Sequence, residues 1–230
     1  MANYDSTYYK ENNQSEDRPA LKFYYRLFNK EIKSNAQQKS VLEYGCGVGN
    51  LTKRLVANFD VTALDISDYA LSQVNIKAPK AKTVKSMSKV RNSSLDGVIA
   101  LHVMEHIELP DRVFKEFNKA LKPNGLLMFV VPNPDGFGRK IKKEKWFGFS
   151  DETHISLLSE KEWINSVKNS GFVVKKVYGD GMWDVPYLPL VPGIIQKIFI
   201  FPFIALQVLT LKLYIPTIFG ECLIVICRKV

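Results

Sequence analysis

Three glycines at alternate positions stand in Glu43-Tyr44-Gly45-Cys46-Gly47-Val48-Gly49, directly after the short apolar run SVLEYG (40–45). Glycine lets a chain turn sharply and brings bare backbone against a ligand. A helix opening behind such a turn adds free N–H groups and a partial positive charge. A dinucleotide fingerprint G-x-G-x-x-G needs its third glycine at position 50, where this chain has Asn50, so the register argues against NAD. Asp65 ends the run DVTALD (60–65), twenty residues after Gly45. A carboxylate at that depth accepts hydrogen bonds from both hydroxyls of a ribose. It would also cap a helix, and Ser67 would cap one equally well.

The chain has only three histidines. His102 and His106 flank Val103-Met104-Glu105 and, being four apart, would share one face of a helix. His106 is placed at the edge of an acceptor pocket, and its plainer reading is a packing and hydrogen-bonding residue. His154, in Asp151-Glu152-Thr153-His154, precedes a capped helix on a loop able to overhang that pocket. It is read as a general base or an acceptor-positioning group. Asn133, in Pro132-Asn133-Pro134, is a second pocket candidate, with a plain turn residue as its rival reading. Cys46, Cys222 and Cys227 form neither a C-x-x-C nor an even set, so no disulfide framework, zinc site or other metal centre is expected.

The elements that would position these residues are legible as alternation. Apolar runs at 40–45, 60–65, 81–86, 96–101, 125–131, 172–178 and 221–230 read as strands. Between them lie helical stretches at 49–59, 67–77, 103–107, 110–122 and 159–170, the last opened by Ser159 and Glu162 at capping-box spacing. Near-continuous apolar strands alternating with helices imply a parallel sheet covered on both faces, an α/β doubly wound fold. Ligands in such sheets sit beyond the carboxyl ends of the strands. Ahead of the sheet, the first seventeen residues read as a mobile lead-in carrying Tyr4, Tyr8 and Tyr9. A helix follows, capped by Asp17, with Pro19 in its first turn.

In this order, VLEYGCGVGN, VTALDIS, LDGVIALHVMEHI and LKPNGLLMFVVPN resemble the class I S-adenosylmethionine-dependent methyltransferases, most nearly the branch that includes the quinone-biosynthesis enzymes. The resemblance covers residues 38–180. It implies a Rossmann-like seven-stranded sheet, mostly parallel, whose last strand inserts antiparallel between the fifth and sixth. It implies S-adenosylmethionine as cofactor. Glu43, Gly45, Cys46, Gly47 and Gly49 would wrap its methionine part, Asp65 would hold the ribose, and Ile66 would lie along the adenine. Leu101 and His102 would face the amino acid portion and the sulfonium. The branch often carries a histidine where His154 stands. Family members often place an acid after the third strand, against the adenine amino group. This chain has Ser86-Met87 there, and Ser86 or a backbone carbonyl is the expected substitute.

The sequence of 230 residues divides into a lead-in and cap helix (1–37), a core (38–184 and 220–230) and a hydrophobic insert (185–219). The insert has 23 hydrophobic residues among 35, five prolines, and only Lys197 and Lys212 as charges. The fourteen uncharged residues between those lysines are too few to span a bilayer, and Pro202 interrupts them. An interfacial element dipping into one leaflet is the sharper reading, and a lid or dimer surface the plainer one. A net charge of +9, with five cations within 139–145 beside Trp146, Phe147 and Phe149, suits an anionic membrane surface with tryptophan at headgroup depth. The expected reaction is methyl transfer to a small or lipid-linked acceptor, through a hydroxyl, by in-line displacement. A cofactor-binding module without catalysis and an RNA methyltransferase are the rivals, and nucleic acid is disfavoured because the insert adds aliphatic rather than cationic surface. The polar, acidic N-terminus lacks a secretory pattern, so a cytoplasmic protein, peripheral on the inner face of a membrane, is expected.

Overall fold

Valine, isoleucine and leucine crowd the runs from residue 39 to 132, and such side chains suit a pleated surface buried on both sides. The computed structural model describes residues 4–11, 18–32 and 38–230. The first half runs α1 (Ser6–Glu11), α2 (Pro19–Glu31), β1 (Lys39–Tyr44), α3 (Thr52–Leu55), β2 (Phe59–Leu64), α4 (Asp68–Lys77), β3 (Lys82–Val84) and β4 (Leu95–Leu101). Then come α5 (Pro110–Ala120), β5 (Leu121–Pro132), α6 (Phe137–Lys142), α7 (Glu160–Asn169), β6 (Phe172–Gly179), α8 (Gly193–Thr210) and β7 (Cys222–Lys229).

One seven-stranded sheet has the order β3-β2-β1-β4-β5-β7-β6. It is parallel except for β7, which pairs antiparallel with β5 (Phe129↔Val225) and with β6 (Val177↔Val225). The strand topology implied by the resemblance is met. One face packs on α5 and α7 through Phe114, Phe117 and Trp163, and the other packs on α2 and α3 through Leu27, Phe28 and Leu55. Strand order reverses between β1 and β4, so the crevice beyond their carboxyl ends is where a ligand has room.

Several elements depart from expectation for local reasons. The helix expected over 49–59 shrinks to α3, because Ala57 and Asn58 donate to the carbonyls three residues back and unwind the chain into β2. The helix over 110–122 ends at Ala120, since Lys122 precedes Pro123 and a residue before proline avoids the helical region. The stretch 103–107 is a single 3₁₀ turn, Met104–His106, so His102 and His106 do not share an α-helical face. Pro202 does not interrupt α8. Gln196 and Gln207 tether the helix on either side of it, Gln196 to the backbone of Tyr187, Leu188 and Val191 and Gln207 to Gly179, Tyr214 and Ile215. The lead-in is not uniformly loose: Tyr9 of α1 is buried against Val48 of the glycine loop and Ala70 of α4. Asp17, the expected cap of α2, lies outside the described residues.

Candidate active site

The glycine loop is built by backbone. Gly45 and Cys46 both donate to the Leu64 carbonyl, at 2.8 and 2.9 Å, which ties the loop to the end of β2. Gly45 has φ +70°, and a Cβ there would stand 2.3 Å from Val103 Cγ2. Gly49 has φ +82°, and its Cβ would meet the Cα of Val74 at 3.1 Å. Both positions therefore require glycine, for conformation and for space. Beneath the loop the buried Glu43 accepts from Thr52 Oγ1 at 2.5 Å, and burial pushes its carboxyl up to about 8. Asp65 accepts from Gly47 N–H at 2.8 Å, from Ser67 N–H at 3.0 Å and from Tyr9 O–H at 3.5 Å. Burial raises its pKa, with these hydrogen bonds opposing the shift. Ser67, not Asp65, caps α4, accepting from Ala70 N–H at 3.1 Å. A hollow of about 150 Å³ lies over Gly45, Gly47, Asp65, Ile66 and Leu101, and Tyr4, Tyr8 and Tyr9 close its outer side.

A second, larger hollow of about 490 Å³ meets the first at Arg18, His102 and His106. Tyr24 of α2, Phe147, Asp151, His154, Trp183, and Ile204 and Val208 of α8 wall it. At the neck His102 holds a left-handed φ of +54°, a conformation a non-glycine residue keeps only where its surroundings enforce it. His154 Nδ1 lies 2.7 Å from the Gly148 carbonyl, and His106 Nδ1 lies 3.1 Å from the Thr153 carbonyl. A carbonyl only accepts, so both rings carry a proton on Nδ1, and in the neutral imidazole the lone pair is then on Nε2. The two rings are 4.8 Å apart, and burial lowers the pKa of His106. Asp180, also on this hollow, accepts from Trp183 Nε1 at 2.6 Å and Cys222 N–H at 2.8 Å, and burial pushes it up to about 6.

The sequence model of the methyltransferase-domain family matches residues 12–177. The chain belongs to that family. Among curated relatives it is 24% identical to the malonyl-[acyl-carrier protein] O-methyltransferase of Halalkalibacterium halodurans, over 60% of this chain and 57% of that one. It is 28% identical to the ubiquinone biosynthesis O-methyltransferase of Idiomarina loihiensis, over 41% and 43%. The chain thus spans about half the length of these relatives. A solved SAM-dependent methyltransferase from Archaeoglobus fulgidus shares the fold with a TM-score of 0.66 at 19% identity, covering 98% of this chain and 100% of that one.

S-adenosylmethionine is the cofactor expected in this methyltransferase domain, and the residues fit it. The glycines leave backbone bare, Asp65 stands at the rim, and Ile66 is 64% exposed beside it. Of the residues marked in the sequence, Gly45, Gly47, Asp65, Ile66, Leu101 and His102 line the first hollow. Glu43 and Cys46 line a smaller recess under the same loop. Gly49 stands against Val74, and its N–H donates to Cys46 O. Ser86 and Met87 are not brought to the cofactor hollow. Ser86 caps the turn that follows it, accepting from Ser88 N–H at 3.2 Å, and both border a separate depression near Arg112. His106 and His154 do reach the acceptor side.

Asn133 does not. It is buried, donates to the carbonyls of Thr217 and Gly220 at 2.7 and 3.0 Å, and locks the end of β5 to the approach of β7. Nor is Trp146 free to lie among lipid headgroups: it is 1% exposed and donates to Glu221 Oε2 at 2.8 Å. Sequence reasoning missed Tyr9, Asp180 and Trp183. No local motif marks them, because only the return of α1 and the turn after β6 bring them to the crevice.

Proposed function

We propose that this chain transfers the methyl group of S-adenosylmethionine to a hydroxyl of an apolar, lipid-linked acceptor that reaches it from an anionic membrane surface. The reading is carried by one observation, the inside-out character of α8. Its buried residues are the polar Gln196 and Gln207, while Ile198, Phe199, Phe203 and Leu209 are each more than 60% exposed. Apolar area turned outward is stabilised by lipid at about 25 cal/mol per Å². At 18 residues it is, among the described residues, the one helix long and apolar enough to span a bilayer. Its two glutamine tethers hold it flat on the domain, which favours an interfacial element over a span. The same helix walls the larger hollow with Ile204 and Val208, so an acceptor lifted from lipid meets apolar side chains on that wall. Exposed Lys140, Lys143, Lys145, Lys197 and Lys212 supply attraction to anionic headgroups.

When bound, the cofactor supplies an already activated methyl on a sulfonium, so the protein's task is chiefly orientation and exclusion of water. Asp65 and the backbone at Gly45 and Gly47 hold the cofactor, His102 stands at the neck between the hollows, and His106 and His154 each offer a ring nitrogen that accepts from the acceptor's O–H. The names of the two O-methyltransferase relatives support an oxygen acceptor. The test is flotation with anionic and neutral liposomes across a salt series. Wild type is expected to float with anionic vesicles even at high salt. The double variant Phe199→Asp/Phe203→Asp should stay at the bottom while binding S-adenosylhomocysteine normally. Equal flotation of the two proteins overturns the membrane reading.

A further inference from the structure

Beside the neck, Glu105 has no exposed surface, and neither of its carboxylate oxygens accepts a hydrogen bond. His102 Nδ1 stands 3.4 Å from Oε1 without the alignment of one. A buried carboxylate left in this way costs several kcal/mol of lost hydration unless a cation answers it. Two imidazoles adjoin it. One ligand atom from each of Glu105, His106 and His154 lies within 4.8 Å of the others, a set that closes on an ion with small side-chain movements.

Both rings are already prepared as ligands. Nδ1 of each is anchored on a backbone carbonyl, Thr153 for His106 and Gly148 for His154, and Thr153 Oγ1 adds a second contact to His106 at 2.8 Å. Metal-bound histidines carry this outer-shell bond almost without exception, since it fixes the tautomer and aims the free nitrogen. We infer that Glu105, His106 and His154 bind a divalent first-row transition-metal cation at the edge of the acceptor hollow. Two imidazole nitrogens and one carboxylate favour zinc, manganese, iron or cobalt over the oxygen-seeking magnesium and calcium. Three protein ligands leave coordination positions open toward the hollow that His106 and His154 line.

The proposal deepens the reading of a hydroxyl acceptor and rests on it for its purpose. A hydroxyl that binds a cation loses its proton far more readily, which prepares the oxygen for attack on the methyl carbon. With the cation in place, the two Nε2 lone pairs coordinate it instead of facing the acceptor's proton. The C–O bond forms as the C–S bond breaks, the sulfonium becomes a neutral thioether, and the proton leaves to solvent.

The test uses the full chain, stripped with chelator and dialysed. Zinc is titrated calorimetrically, cobalt is followed by its visible ligand-field bands, and S-adenosylhomocysteine affinity is measured on the same samples. One equivalent of zinc per chain and cobalt bands are expected. Zinc affinity should fall at least tenfold in His154→Ala and in Glu105→Gln but stay within threefold in His102→Ala. If Glu105→Gln does not fold, His154→Ala decides, since His154 is half-buried on a loop. Absence of stoichiometric zinc in protein that binds S-adenosylhomocysteine overturns the site and leaves His102 as the neighbour of Glu105. So does binding unchanged in His154→Ala. Zinc uptake without cofactor binding instead leaves the metal site standing and removes the methyltransferase reading.

Discussion

Replacing Asp65 by asparagine tests the cofactor site at its most loaded atom pair. Oδ2 takes Gly47 N–H at 2.8 Å, and Oδ1 takes Ser67 N–H at 3.0 Å together with the longer bond from Tyr9. Asparagine has the same shape but only one acceptor oxygen, so its NH₂ must face one of these backbone donors. An unmade bond at a buried donor costs about 1–3 kcal/mol of stability. The ribose loses more specifically, since a hydroxyl bonded to a charged acceptor is worth about 1.5–3 kcal/mol, roughly a 10- to 150-fold loss of affinity. The Tyr9 bond, at 3.5 Å, is the longest of the three and the one a ribose hydroxyl would replace. The assay is calorimetric titration with S-adenosylhomocysteine alongside a melting curve. Asp68→Asn serves as control, because Asp68 is exposed and its pair with Lys85 at 2.7 Å lies at the surface, where such pairs contribute about 0–1 kcal/mol. An Asp65→Asn protein that melts cooperatively and binds within threefold of wild type refutes the assignment of the ribose to Asp65.

Two further outcomes follow from buried polar groups. Glu43 holds its proton up to about pH 8 when folded, against an ordinary value of 4.5. The stability it contributes is fully present below pH 4.5 and is lost as pH rises through 8. Asp180, pushed up to about 6, is about nine-tenths ionised by pH 7, so the fall in melting temperature between pH 7 and 8 should flatten in Glu43→Gln; parallel curves would count against a buried, protonated Glu43. Asn133→Ala should cost about 2–4 kcal/mol, because it strands the Thr217 and Gly220 carbonyls, and should leave S-adenosylhomocysteine affinity alone. Chemical denaturation with titration of the folded variant checks both, and a stable variant would return Asn133 to the pocket.

Local chemistry determined what was legible in the sequence. The alternation of apolar runs follows from backbone geometry, and the glycine register at 45, 47 and 49 with Asp65 follows from what a strand–turn–helix unit can hold, so sheet and cofactor loop were readable without coordinates. The capping box at Ser159 and Glu162 is likewise a matter of three residues, and it formed as written. Tertiary structure alone decided the rest. Asn133 looked like a pocket residue because nothing in Pro-Asn-Pro announces carbonyls that arrive from 84 and 87 residues away. Trp146 looked like a headgroup anchor until Glu221, 75 residues on, took its N–H. Hydropathy marked α8 as apolar, but which side faces water or lipid depends on what Gln196 and Gln207 find to bond. The meeting of Glu105, His106 and His154 depends on a loop 47 residues downstream folding back over the fourth strand. Periodicity and motif report what a segment can do by itself, whereas partners brought together by closing long loops are written nowhere in the segment.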